Sequence, residues 1–149
     1  MDALLEKGYT DLTVLDISGA AIEKAKSRLG PRANEIKWIE ADASSFIPNR
    51  TYALWHDRAA FHFLTEADEV AHYCRTATDH IQSHGHLIIG TFSDKGPLKC
   101  SGIAIQQYTV ETLSKTLGDA FLKKDCLTID HTTPFDTVQN FLFCRFTRI

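Results

Sequence analysis

Several features are missing from this sequence, and each absence removes a class of protein. No apolar stretch approaches the roughly 20 residues that cross a bilayer. The opening residues, Met1 to Gly8, carry acids where a secretory leader needs basic residues and an apolar run. The expectation is a cytoplasmic protein with no membrane partner. A basic stripe is absent as well: 16 Lys and Arg face 19 Asp and Glu, the net charge is −3, and the bases are scattered apart from short pairs such as Lys123-Lys124. Phosphate neutralisation supplies most nucleic-acid affinity. No nucleic-acid partner is therefore expected beyond, at most, a small tRNA-contacting patch. Cys74, Cys100, Cys126 and Cys144 form no CxxC pair, and without a leader they read as reduced, mostly core thiols. Internal repeats and low-complexity linkers are also lacking.

What is present is ordinary for a globular chain. At 149 residues, 44% apolar and 23% charged, the length and composition indicate one domain with a sizeable core. Short apolar runs alternate with amphipathic stretches, the pattern of a mostly parallel sheet with covered faces. Asp2 to Lys7 reads as the end of a helix capped by Gly8. Leu12 to Leu15 is a strand ending at Asp16, and Ser18 caps a helix stopped by Gly30-Pro31. Ile36 to Ile39 leads into Glu40-Ala41-Asp42, and Tyr52 to Trp55 leads into His56-Asp57. Thr65-Glu66-Ala67-Asp68 has the form of a capping box. It opens a helix whose core stripe is Val70, Tyr73, Cys74, Ala77 and Ile81. His86 to Phe92 is a strand, a helix runs from about Thr109 to Leu117, and strands at about Leu122–Asp130 and Val138–Arg148 form an antiparallel hairpin around Pro134.

Open α/β sheets bind ligands outside the carboxyl ends of their strands. Asp16, Asp42 and Asp57 each close a different strand. One such acid can accept from ribose hydroxyls and a second from an adenine amino group. As single residues they are equally turn formers or helix caps. His84-Gly85-His86 has no acid or thiol at ligand spacing, so no metal is expected. Cys100-Ser101-Gly102 has no identifiable histidine partner, and Phe61 and Phe63 read as core or pocket wall.

The order of these motifs resembles the class I S-adenosylmethionine-dependent methyltransferases over nearly the whole chain. Leu12-Thr13-Val14-Leu15-Asp16-Ile17-Ser18 with Ala21-Ile22-Glu23-Lys24-Ala25 is similar to that family's second strand and helix. Trp38-Ile39-Glu40-Ala41-Asp42-Ala43 resembles its third-strand motif, Trp55-His56-Asp57-Arg58 its fourth, and His84 to Phe92 its fifth strand with the preceding turn. The tail, through Gly96-Pro97, Tyr108, His131-Thr132-Thr133-Pro134 and Gln139, resembles one bacterial subfamily of small methyltransferases. The resemblance implies a Rossmann-like α/β domain over 1–149, mostly parallel with a C-terminal antiparallel hairpin. It also implies S-adenosylmethionine as cofactor, S-adenosylhomocysteine as product, and methyl transfer to a small molecule or a protein side chain. Asp16 and Ile17 would serve the ribose end and Asp42 and Ala43 the adenine. His56 and Asp57 would stand by the reactive methyl group, and Arg58, His62 and Tyr108 would contact the acceptor.

One departure stands beside this. The family's first strand and GxGxG-type loop have no counterpart before Asp16, where only Gly8 and its short helix precede. Two explanations remain: Met1 is an internal start of a longer gene, or the short form is real, with cofactor binding lost or changed. In the family's sheet the first strand lies between the second and fourth. Its absence leaves two interior edges whose buried amides are costly, so those strands must pair directly, recruit another chain or fold poorly; the expectation is a homo-oligomer formed by strand or segment exchange. The rival readings are a non-catalytic methyltransferase-like binding or assembly module, and a nicotinamide-dependent oxidoreductase, which uses a similar ribose-binding acid.

Overall fold

A computed structural model describes residues 1–133 and 136–149, and the expected turn at Pro134 lies outside them. Two compact units divide the chain, Met1–Phe46 and Ile47–Ile149.

In the first unit, helix α1 (Asp2–Glu6) is followed by strand β1 (Leu12–Asp16), helix α2 (Gly19–Leu29), a 3-10 turn (Gly30–Glu35) and strand β2 (Ile36–Glu40). Gly8 stops α1 with φ 82°. A left-handed residue at this position lets the amides of Gly8 and Tyr9 reach back to Leu5 and Leu4. As expected, Ser18 caps α2: its hydroxyl accepts from the Ala21 amide at 3.2 Å. β1 and β2 pair in parallel with Asp16 beside Glu40, and Leu5, Ile22 and Ile36 are buried.

The second unit carries β3 (Tyr52–Arg58), a 3-10 turn (Phe61–Phe63), α3 (Ala67–His80), β4 (Ile81–Phe92), a small hairpin of β5 (Lys99–Cys100) and β6 (Ile103–Ala104), α4 (Val110–Leu117), β7 (Phe121–Thr132) and β8 (Val138–Arg148). The main sheet has the order β3-β4-β8-β7. β3 and β4 are parallel, and β8 runs antiparallel to both β4 and β7. Alternation sends Leu87 and Ile89 of β4 and Leu142, Cys144 and Phe146 of β8 into one core. There they meet Tyr73 and Ala77 of α3 and Leu113 and Leu117 of α4.

Three expectations need correction. Thr65 does not cap α3: the helix begins one residue later, Glu66 takes the N-cap position, and no side chain bonds there. A reciprocal capping box occurs instead at α4, between Thr109 and Thr112. Ile81 belongs to β4 and not to the helical stripe, because α3 ends at His80. The thiols also differ from expectation, since Cys126 and Cys144 are joined in a disulfide while Cys74 and Cys100 are free. The physical reason is register: the two cysteines sit directly opposite on β7 and β8, with Cα atoms 4.1 Å apart. Closing a loop of this size restricts the unfolded chain by about 3 kcal/mol. Reduction is therefore expected to lower the thermal midpoint by roughly 6–12 °C. Melts with and without a phosphine reductant measure it, and coincident curves would contradict the link.

Candidate functional site

Parallel pairing of β1 with β2 brings two of the predicted acids to one edge of the first unit. Asp16 is the last residue of β1, and its backbone carbonyl accepts from the Ala41 amide at 3.1 Å. Asp42 follows two residues after the end of β2. Each carboxylate commits its Oδ1 to a local turn: Asp16 accepts from the Ser18 amide and Asp42 from the Ser44 amide, both at 2.8 Å. These turns fix both side chains beside the carboxyl ends of adjacent strands. Ile17, directly after Asp16, is 67% exposed, an apolar surface at the same edge. Ala43 is half-buried beside Asp42. Two anchored carboxylates and an exposed apolar residue thus present hydrogen-bond acceptors and an apolar surface in the first unit. Ribose hydroxyls and an adenine amino group are donors, and the base has apolar faces. A cleft of about 340 Å³ between α2 and β2, lined by Gly19, Ile22, Trp38 and Glu40, lies elsewhere in this unit and includes neither acid.

In the second unit β3 continues beyond its expected end, through Arg58, so His56 and Asp57 lie within the strand. Alternation then separates them. His56 and Arg58 face outward, while Asp57 turns into the core and is only 6% exposed. Its Oδ1 accepts from the amides of Ala60 and Phe61 at 3.0 and 3.2 Å, and its Oδ2 from the Tyr73 hydroxyl at 2.8 Å. Burial pushes its pKa up, and the three donors pull it back. The same burial, with the Asp57 charge beside it, raises the Tyr73 pKa well above the usual phenol range. Burial also lowers His56; Asp57 opposes that shift and Arg58 adds to it. The turn that Asp57 holds includes Ala59 in the left-handed region at φ 63°. A side chain there is strained, and the Ala59 amide is tied to the Gly90 carbonyl at 2.9 Å.

His62 occupies that turn and is completely buried. Its ring stacks on Phe92 at 4.6 Å with an interplanar angle of 8°. Neither ring nitrogen has a hydrogen-bond partner among the described residues, and burial pushes the imidazole down to about 4. Tyr108 is also buried. It packs against Phe61 at 5.3 Å, its amide donates to the Phe92 carbonyl at 3.1 Å, and burial pushes its phenol up to about 12.

Asp16, Ile17, Asp42 and Ala43 thus gather in the first unit. Asp57, His62 and Tyr108 gather in the second around Phe61, with His56 and Arg58 on the other side of the same strand. Two participants were not anticipated. Tyr73 reads in sequence only as one apolar position of a helix stripe, with nothing to announce its bond to Asp57. Phe92, the ring under His62, reads only as a strand end.

No protein-family model matches the chain, and no curated protein matches it. Solved structures do. The N-methyltransferase NodS from Bradyrhizobium japonicum superposes with a TM-score of 0.73 at 20% identity, covering 93% of this chain and 73% of that one. A SAM-dependent methyltransferase from Methanosarcina mazei gives 0.76 at 14% identity, covering 99% and 85%. The 1,6-didemethyltoxoflavin-N1-methyltransferase from Burkholderia thailandensis, solved with 1,6-didemethyltoxoflavin and S-adenosylhomocysteine bound, gives 0.73 at 15% identity, covering 99% and 64%. Likeness at these identities establishes the architecture. The chain has the Rossmann-like α/β fold of the class I methyltransferases, with mixed sheets: β1 pairs with β2 and β3 with β4 in parallel, while β8 is antiparallel to β4 and closes a C-terminal antiparallel hairpin with β7.

Proposed function

We propose that residues 1–149 act as one methyltransferase-like domain that transfers a methyl group from S-adenosylmethionine to a small molecule or a protein side chain. The observation that carries this reading is the pair of turn-anchored carboxylates, Asp16 and Asp42, at the carboxyl ends of adjacent parallel strands. Asp16 with Ile17 would hold the ribose side and Asp42 with Ala43 the adenine. When bound, S-adenosylmethionine supplies an electrophilic methyl group on a sulfonium sulfur. The chain's own task is then to align an acceptor and, where the acceptor carries a proton, to receive it. His56 is the candidate base: its lowered pKa leaves the imidazole neutral at physiological pH. Asp57 keeps the end of β3 and the following turn in position, and Arg58, His62 and Tyr108 form the acceptor side. Each of β1, β3 and β7 pairs on one side only among the described residues, which supports self-association through one such edge as part of this reading.

Calorimetric titration with S-adenosylhomocysteine tests it. Binding by the wild-type chain, weakened about 100-fold by Asp16→Ala, is the expected result, since two hydrogen bonds to a charged acceptor are lost. Absence of binding by the wild type would favour a non-catalytic binding or assembly module.

A further inference from the structure

The outer edge of β7 lies in the second unit and carries none of the residues assigned above. β7 pairs only with β8 among the described residues. The Cα separation of 4.1 Å between Cys126 and Cys144 marks a pair that exchanges no backbone hydrogen bonds. Cys126, Thr128 and Asp130 therefore direct their N–H and C=O groups away from β8. The irregularity of β7 is confined to Lys123–Asp125, so the stretch from Asp125 to His131 is a regular, unprotected edge. On one face of it Leu127 and Ile129 are 52% and 48% exposed, flanked by Asp125 and His131.

We propose that this edge pairs with itself: Asp125–His131 lies antiparallel to the same stretch of a second copy of the chain, about a two-fold axis at Thr128. In that register Leu127 of each protomer faces Ile129 of the other, and Asp125 faces His131. Four apolar side chains thus form one row closed at both ends by an acid–imidazole pair. Thr128 meets its own copy, and Cys126 meets Asp130. The outward backbone groups of these three residues find partners, roughly six hydrogen bonds at two per facing pair. Slipping by two residues in one direction sets Lys123 against His131 and Asp125 against Ile129. A slip the other way sets Leu127 against His131. Only the register centred on Thr128 matches both the apolar positions and the polar ends, where Asp125, held through its Oδ2 by Arg145, keeps its Oδ1 for the His131 ring. The contact is small beside obligate dimer interfaces, so it is a concentration-dependent dimer with an eight-stranded sheet.

Sedimentation equilibrium across roughly 1–200 μM is the experiment, run on the wild-type chain, Thr128→Pro and Leu127→Lys. Proline at 128 removes an outward N–H that β8 does not use, so the monomer keeps its fold. The wild type is expected to move from monomer mass toward twice that mass over this range. Thr128→Pro should remain monomeric at every concentration, with an unchanged circular dichroism spectrum. Should Thr128→Pro unfold, Leu127→Lys gives the same readout through the exposed face and is expected to shift the midpoint at least tenfold upward. A wild type that stays monomeric at 200 μM overturns the proposal. Variants that dimerise as readily as the wild type also overturn it, and would assign any dimer to another edge such as β1 or β3.

Discussion

Asp57→Ala is expected to destabilise the second unit by about 3–5 kcal/mol, more than any other single substitution argued for this chain. The carboxylate is buried and accepts from three donors, the amides of Ala60 and Phe61 and the hydroxyl of Tyr73. Removing it leaves the Tyr73 hydroxyl and two turn amides without acceptors inside a core that excludes water. Asp57→Asn keeps the volume and an acceptor for the amides, so a loss of roughly 1–2 kcal/mol is expected from it. Tyr73→Phe instead strands one carboxylate oxygen. If the two side chains act as a pair, a double-mutant cycle between Asp57 and Tyr73 should give a coupling of about 1–3 kcal/mol. Urea unfolding monitored through the near-ultraviolet aromatic signal, to which Trp55 contributes from its place against Tyr73 at 6.1 Å, reads all five proteins, the double mutant included. Equal midpoints for the wild type and Asp57→Ala would show that water replaces the carboxylate. The pH dependence has a defined sign. Because burial raises the folded-state pKa of Asp57, its titration contributes stability that is present below the ordinary carboxylate range and lost as pH rises through the raised value. An apolar replacement should therefore cost most in acid, a trend that a purely packing role would not produce.

The reach of the sequence over this fold follows from which forces are local. The Ser18 cap, the stop at Gly8 and the strand–helix–strand order of the first unit are set by residues within a few positions of one another, and they appear in the structure as expected. The shared edge of Asp16 and Asp42 follows from the same local order, because parallel pairing of consecutive strands carries their carboxyl ends to one side. The capping box at Thr65 failed for want of one residue: Thr65 and Glu66 are adjacent candidates, and sequence does not choose where the helical dihedrals begin. In the sequence Asp57 reads as a strand terminus, because Pro48-Asn49-Arg50 marks where β3 can start but nothing marks its end. Only in the structure does its alternation turn the carboxylate inward to Tyr73. The disulfide needed the register of β7 on β8, a long-range property. The observed register sets Cys126 opposite Cys144, and no residue near either cysteine announces that pairing.

His62→Phe is expected to do two opposite things, and the combination is diagnostic. At pH 7.5 the substitution exchanges an imidazole whose two buried nitrogens have no partner among the described residues for a ring of similar shape that keeps the stack on Phe92. Relief of that desolvation should stabilise the fold by about 1–2 kcal/mol. The gain should widen in acid. The folded-state pKa of His62 is depressed from 6.5 to about 4, so the unfolded chain binds a proton that the folded chain resists. Stability from this group is complete above the unfolded value and is lost as pH falls from there toward the folded value. By pH 4.5 the wild type forfeits about 2.5 kcal/mol that the phenylalanine variant retains. Urea midpoints of the two proteins should therefore diverge steadily between pH 7 and 4.5, and parallel curves would mean that the imidazole is paired or hydrated. If His62 belongs to the acceptor side, the stabilised variant should bind S-adenosylhomocysteine as the wild type does while losing acceptor affinity. A variant that is more stable and unchanged in both would make His62 a tolerated defect of the core.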